Sequence, residues 1–340
     1  MSEINAEDQV VLVAGGAGFL GTHLCRKLLT QGHQVICVDN FLTGSATNLA
    51  SLQDHPNFTV IQHDIIDPLP PSLRPTHIYN LACAASPRRY QADPIHTLRT
   101  CVQGVFNLLE LAAAHDARIL QASTSEVYGD PEVHPQHERY HGNVNPVGIR
   151  SCYDEGKRCA ETLMSDFSRM RGVTGKIARI FNTYGPGMAP DDGRVVSTFI
   201  CQALQNQALT VYGDGSQTRS LCYVDDMIEG LMLLMNSVDT FRGPVNLGNT
   251  HEVSIMQIAQ HVSRLARQQV KVEFKPLPAD DPTVRCPDIT LARHHLGWAP
   301  SVSIDEGLAR TFAHFEHTLK GTGTWPLPDV VRYPRTRLTN

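Results

Sequence analysis

The chain has 340 residues, of which 41% are hydrophobic, with a formal net charge of −5 and a pI near 6.3. That length and apolar share fit one large domain, or two closely joined ones, around a sizeable core. The mild negative charge excludes a broad positive field for nucleic acid, and no apolar run approaches the roughly 20 residues that a membrane-spanning helix needs.

The N-terminal MSEINAEDQV is polar and acidic, without the charged-then-apolar layout of a signal peptide, so a cytoplasmic protein is expected. Val10–Ala14 (VVLVA) reads as a buried strand, followed by a glycine-rich turn and a helix over 22–30. Further strands are expected at 35–39, Phe58–Gln62, 78–82, 118–123 and 176–181. Helical spacing covers 100–115, and another helix is expected to begin near Tyr153. Near-continuous apolar strands separated by helices predict an α/β fold, a doubly wound parallel Rossmann sheet covered on both faces.

After Phe181 the texture changes. Residues 182–219 are rich in Gly, Pro, Asp and Asn, with one helix expected at Val195–Leu204. Val224–Met235 reads as a helix, 244–247 as a last strand returning to the sheet, 255–267 as a helix and 275–287 as a proline-rich segment. These alternations predict a smaller, discontinuous α/β substrate domain. Its expected extent is 182–219 plus 249–320, against 8–181 plus 220–248 for the Rossmann domain, with 321–340 as a polar tail broken by prolines.

Nine cysteines, an odd number without framework spacing, sit partly inside apolar runs, as Cys37 and Cys222 do. They read as reduced core residues. His137, Glu138 and His141 match H-E-x-x-H formally, but Pro135, Gly142 and Pro146 make the neighbourhood a loop. That motif binds zinc only when a helix puts both histidines on one face, and His294 beside His295 lacks ligand spacing, so no metal is expected.

Gly15, Gly18 and Gly21 follow the first strand and open a helix in a G-x-x-G-x-x-G pattern that contains Phe19 and Leu20. Glycines there let the backbone approach a pyrophosphate at a helix N-terminus. Asp39 ends the second strand, where a carboxylate accepts the adenosine ribose hydroxyls and repels the extra phosphate of NADP, so NAD is the expected cofactor. Asp64 and Ile65 after the third strand are candidates for the adenine side. Asn40, Thr43, Gly44, Leu81, Ala82 and Thr100 complete the expected cofactor contacts.

Tyr153 and Lys157 stand four apart, on one face of a helix. An ammonium beside a phenol favours phenolate, which makes a tyrosine a usable base near neutral pH. Thr124, Ser125 and Glu126 lie at the end of the fifth strand, where ligands bind in open α/β sheets. Thr124 can hydrogen-bond a substrate hydroxyl, and Glu126 offers a carboxylate for proton handling.

The GGAGFLG turn, the STSEVYG strand end and the YDEGK helix together resemble the extended short-chain dehydrogenase/reductase family. Longer blocks narrow the resemblance to UDP-glucuronate decarboxylases: 142–158, 178–186, 191–200, 211–220 and the Arg285-containing 280–289. Related 4,6-dehydratases carry Asp-Glu where this chain has Ser125-Glu126, and 4-epimerases typically lack the Glu; these remain the alternative activities. The resemblance implies decarboxylation of UDP-glucuronic acid to UDP-xylose. In the implied cycle Tyr153, acidified by Lys157, takes the O4 proton while hydride leaves C4 for NAD, with Thr124 sharing the hydrogen bonding. The 4-keto acid then loses its carboxylate, Glu126 and Arg285 position ring and carboxylate, and the ketone is reduced again. Arg219, Gln217 and Asn182 are implied at the diphosphate, Tyr212 near the uracil, Ser86, Arg89 and Tyr90 at the sugar, and Arg194 elsewhere in the nucleotide-sugar site. The family also pairs the helix over 100–115 with the one starting near Tyr153 across a homodimer. Cys101, Ile149, Gly187 and Arg99 depart from residues usual in the family: Asn, Pro, Arg and Lys.

Overall fold

The computed structural model describes residues 9–267, 270–276, 285–319 and 321. Most of the 321–340 segment, and 277–284 within the proline-rich stretch, lie outside the described residues.

The strands are β1 (Val10–Ala14), β2 (Gln34–Asp39), β3 (Phe58–Gln62), β4 (His77–Asn80), β5 (Arg118–Thr124), β6 (Gly175–Ile180), β7 (Thr183–Tyr184), β8 (Leu209–Tyr212), β9 (Thr218–Ser220), β10 (Cys222–Tyr223), β11 (Val245–Leu247), β12 (Glu252–Ser254) and β13 (Val272–Lys275). The helices are α1 (Phe19–Thr30), α2 (Ala46–Leu49), α3 (Pro87–Tyr90), α4 (Pro94–Arg99), α5 (Val105–His115), α6 (Ser151–Arg171), α7 (Val195–Leu204), α8 (Val224–Met235), α9 (Ile255–Leu265), α10 (Thr290–Leu296) and α11 (Ile304–Leu319).

Seven strands form one sheet in the order β11-β6-β5-β4-β1-β2-β3, and every pairing in it is parallel. The apolar runs explain this. Leu12, Val13 and Ala14 are fully buried, as are Ile119 and Leu120, because helices cover both faces. One core lies under α1 and α8, and a second holds Leu108, Leu109 and Ala112 of α5 with Ala160 and Met164 of α6. Chain order reverses between β1 and β4, which opens a crevice at the strand carboxyl ends. Beyond β6, the short pairs β12–β9 and β13–β8 pack with α7 and α9 away from the sheet, and the pair β10–β7 packs against α8.

Several element ends differ from expectation. The first helix starts at Phe19, inside the glycine pattern, because Gly21 lets the helix run against the turn. The fourth strand stops at Asn80, whose side chain turns the chain by accepting the Ala82 amide. The expected 100–115 helix begins earlier, at Pro94, with Asp93 capping the His96 amide. It passes through a π-turn at Thr100–Gly104 before α5. Residues 137–141 form a turn rather than a helix, and Glu138 accepts the Asn246 amide at 2.8 Å.

Asn246, fully buried on β11, ties the two layers together. It accepts from the Tyr128 hydroxyl at 2.8 Å and donates to the Gln136 and Asp288 carbonyls at 2.9 and 3.1 Å. Gln136 in turn pairs with Cys286 in both directions, at 2.8 and 3.0 Å. These bonds pin the segment that carries Arg285 against the sheet. Replacing Asn246 with Leu removes the acceptor of the buried Tyr128 hydroxyl, which keeps only its bond from Arg179 at 3.0 Å, and removes both donated bonds. Urea unfolding of Asn246→Leu is expected to show a loss of about 2–4 kcal/mol.

Candidate active site

A cleft of about 1480 Å³ runs along the carboxyl ends of the sheet and under the smaller layer. Every site residue expected from sequence lines it except Gly44. Gly44 packs behind the glycine turn, where a Cβ would lie 2.9 Å from the Ala17 backbone.

The turn after β1 is tight enough to demand glycine. Gly15 has φ +77°, and a Cβ there would sit 2.8 Å from the Leu81 carbonyl. A Cβ on Gly21 would sit 2.1 Å from the Gly15 carbonyl. No side chain caps α1, whose N-terminus, with Phe19 and Leu20, borders the cleft. Asp39 takes the Ala17 amide at 2.9 Å and the Phe41 amide at 2.8 Å, so it also clamps the turn. Burial raises its carboxyl pKa and these amides partly offset that.

Asp64 gathers three donors: Asn40 at 2.7 Å, His96 at 2.8 Å and the Ile66 amide at 3.0 Å. Burial works against its charge, but these donors outweigh it and hold the carboxyl below its ordinary value. His96 was not anticipated. The signal was Asp93-Pro94, a cap followed by an N1 proline, which starts a helix early enough to place it here. Thr43, Ile65, Leu81, Ala82 and Thr100 complete this end of the cleft.

At the centre, Tyr153 is buried and stacked on Tyr90, with ring centroids 4.9 Å apart and planes within 2°. Lys157 lies 5.7 Å from the Tyr153 ring centroid, its ammonium donating to the Ala122 carbonyl at 2.8 Å. The acidification expected from Lys157 does not prevail. Burial pushes the Tyr153 phenol well above its ordinary value, and a hydrogen bond with Thr124 opposes this. The i,i+4 spacing brings the two side chains together; it carries no information on how dry the phenol is.

Glu126 is held by two guanidiniums. Arg285 donates to it at 2.9 and 3.4 Å and to the Gly129 carbonyl at 2.5 Å. Arg150 forms a second, very short ion pair with it. Burial disfavours the Glu126 charge, yet the two arginines keep its carboxyl below the usual range. Arg285 is 3% exposed. Sequence reasoning named Arg285 but not Arg150 or Asp154. Both fall in the 142–158 block, but that block does not distinguish them from the surface charges of an exposed helix.

Asp154 lies 3.9 Å from Arg150, and its Oδ1 has no hydrogen-bond partner among the described residues. Burial and then the Glu126 charge push its carboxyl up to about 7, against the pull of Arg150 and Arg285.

The remaining candidates range from buried to exposed. The Ser86 hydroxyl and the Tyr90 hydroxyl are buried without partners among the described residues. Arg89 pairs with Asp191 at 2.5 Å, Arg194 with Asp192, and Gln217 donates to the Tyr212 carbonyl at 2.6 Å. Arg219 donates to the Thr218 carbonyl, and Asn182 lines the cleft nearby.

A seven-stranded parallel sheet, an uncapped glycine turn at its switch point and a Tyr–Lys pair beside a strand-end Thr define a Rossmann enzyme of the short-chain dehydrogenase/reductase type. The chain belongs to the NAD dependent epimerase/dehydratase family, which it matches over residues 11–248. It is similar to UDP-glucuronic acid decarboxylase 6 of Arabidopsis thaliana, 53% identical over 88% of this chain and 86% of that protein. It is also similar to UDP-glucuronic acid decarboxylase 1 of Danio rerio, 51% identical over 91% of this chain and 73% of the relative. Among solved structures, the UDP-glucose 4-epimerase of Thermotoga maritima with UDP-glucose has a TM-score of 0.84 at 29% identity, covering 91% of this chain and 99% of that one. The UDP-glucuronic acid 4-epimerase of Bacillus cereus with UDP-glucuronic acid and NAD has a TM-score of 0.82 at 26% identity, covering 91% and 99%.

The turn suits NAD: side chains are absent where a pyrophosphate backbone must approach, α1 presents an uncapped N-terminus, and the Asp39 carboxylate ends β2 beside the turn.

The Asp154 environment has a consequence for stability. Its folded pKa, about 7, stands above the ordinary 3.8, so the folded state favours the neutral acid. Its stabilising contribution is complete below pH 3.8 and is lost as pH rises through about 7. Asp154→Asn is therefore expected to be more stable than the parent at pH 8, by on the order of 2 kcal/mol, with the gap closing towards pH 4. Paired urea titrations at the two pH values measure it.

Proposed function

We propose that this chain is an NAD-dependent UDP-glucuronate decarboxylase that makes UDP-xylose through a 4-keto sugar and ends each cycle with its cofactor oxidised. The observation that carries this reading is Arg285, buried on Glu126 in the same cleft as Thr124 and Tyr153. The similarity to decarboxylases at about half identity supports it.

Gly15, Gly18, Phe19, Leu20 and Gly21 hold the diphosphate of NAD, with Gly44 as backing. Asp39, Asn40 and Thr43 hold its ribose, and Asp64 and Ile65 its adenine. Leu81, Ala82, Thr100, Tyr153 and Lys157 flank its nicotinamide. Bound NAD supplies a hydride acceptor at the sugar C4 and a positive ring charge. Tyr153 takes the O4 proton, with Thr124 and the Lys157 ammonium stabilising the phenolate in a pocket that otherwise keeps the phenol neutral. The resulting β-keto acid releases CO2 because its carbanion delocalises into the ketone. Thr124 and Tyr153 hydrogen-bond the enolate oxygen as it forms. Arg285, with Arg150 beside it, receives the sugar carboxylate, since a guanidinium fork matches a carboxylate in two bonds. Glu126 aligns the two arginines and, with Ser125, manages the proton at C5. Ser86, Tyr90 and Arg89 contact the sugar. Arg219, Gln217, Arg194 and Asn182 hold the diphosphate end, and Tyr212 lies against the uracil.

Residues 8–181 with 220–248 form the cofactor domain, and 182–219 with 249–320 the sugar-nucleotide domain. The protein works as a homodimer in the cytoplasm. Exposed Ile95, Leu98, Phe106 and Met170 along α4, α5 and α6 support the first point, and unpaired thiols at every described cysteine support the second.

A 4-epimerase is the second reading, favoured by the fold match to the Bacillus cereus enzyme. Incubating purified protein with UDP-glucuronate and following CO2 and the sugar by NMR separates them. UDP-xylose with CO2 is expected; UDP-galacturonate without CO2 would overturn the decarboxylase. Tyr153→Phe is expected to abolish turnover while circular dichroism and thermal midpoint stay unchanged. Arg285→Lys keeps the charge but loses the fork, and kcat is expected to fall by on the order of 100-fold with NAD retention intact.

A further inference from the structure

Beside the Tyr–Lys pair, the cleft floor holds two thiols in contact. Cys83, in the segment after β4, lines the cleft, whereas Cys101 is buried in the π-turn between α4 and α5. Their Sγ atoms are 3.5 Å apart. The Cys101 Cβ lies 2.9 Å from where Gly156 would carry one, so α6 crosses directly over it, one residue before Lys157. The Cys83 hydrogen bond draws the Cys101 thiol down to about 7 against burial, and the Lys157 charge adds to this. The same contact and burial push the Cys83 thiol the opposite way. The other cysteines lack this combination. Cys25 and Cys37 are fully buried away from the cleft, and Cys159 is exposed but does not line the cleft.

We propose that Cys83 and Cys101 are a modification site, closing to a reversible disulfide under peroxide and shutting down the cleft. The Cys83 proton passes to Cys101 along their contact. The Cys83 thiolate attacks peroxide, an S–O bond forms, the O–O bond breaks and hydroxide leaves. Hydroxide takes the Cys101 proton as water. The Cys101 thiolate then attacks the Cys83 sulfenic sulfur, forming S–S and expelling a second hydroxide. Two sulfurs lose two electrons in all and peroxide gains them. Closure brings the sulfurs to about 2.05 Å. It draws the segment behind Ala82 towards the crossing of α6, where Tyr153 and Lys157 are held. Misplacing a reacting group by about 1 Å costs on the order of 100-fold in rate.

The rate effect rests on the decarboxylase reading; the cross-link does not. The test treats NAD-loaded enzyme with hydrogen peroxide, blocks remaining thiols with iodoacetamide, and maps non-reduced peptides by mass while turnover of UDP-glucuronate is followed. A Cys83–Cys101 linked peptide should rise as activity falls by roughly tenfold or more, and dithiothreitol should reverse both. Cys101→Ser and Cys83→Ser should each keep their own untreated rate at the same dose. Alkylated Cys83 and Cys101 in inactivated enzyme, a cross-link with undiminished turnover, or parent-like sensitivity in Cys101→Ser overturns the proposal. A cross-link in a protein that never decarboxylates UDP-glucuronate upholds the thiol site and removes the decarboxylase reading instead.

Discussion

The pairing of Glu126 with Arg285 and Arg150 is the constraint on which the rest of the site depends. A carboxylate taken out of water is costly unless opposite charge and hydrogen bonds meet it. Here the two guanidiniums keep Glu126 ionised while holding it at the end of β5. The same bonds fix Arg285, which comes from a segment 159 residues further along the chain. Asp154 lies beside them, its carboxyl pushed up to about 7 by burial and the Glu126 charge.

Around that cluster the site divides by chemistry. One end is built from backbone, where the glycine turn and the uncapped helix α1 offer amides rather than side chains. The other end is built from arginines and aromatic rings. Between them stand Tyr153 and Tyr90, stacked and dry. A dry phenol favours its neutral form, so the cleft without added positive charge stores a proton on Tyr153. Glu126 orders both arginines in advance, so an anionic group bound there would lose less entropy on binding.

Much of this was legible from residue patterns. The apolar strands from Val10 to Phe181 declared a parallel sheet because both faces are covered, and the reversal that opens the cleft follows from such folds. The glycine spacing and Asp39 located the turn, and Tyr153 with Lys157 located the helix. What stayed hidden depends on tertiary packing. The π-turn at Thr100–Gly104 leaves no trace in apolar spacing, because one extra residue only shifts the phase. Arg150 and Asp154 are ordinary charges on an exposed helix until α6 crosses the end of β5. Lys157 was seen as a neighbour of Tyr153, but burial outweighs that neighbour and is invisible in a four-residue interval. Gly44 packs against the back of the turn at Ala17, a placement that glycine spacing alone does not show.

Because Glu126 and Arg285 come from segments 159 residues apart, the buried charge cluster cannot be inherited in pieces. A chimera that kept the sheet but took its outer segment from an epimerase would strand a buried carboxylate with half its counter-charge. Evolution between these chemistries must therefore pass through coordinated change on both sides of the cleft, or through an intermediate in which position 126 has first become neutral.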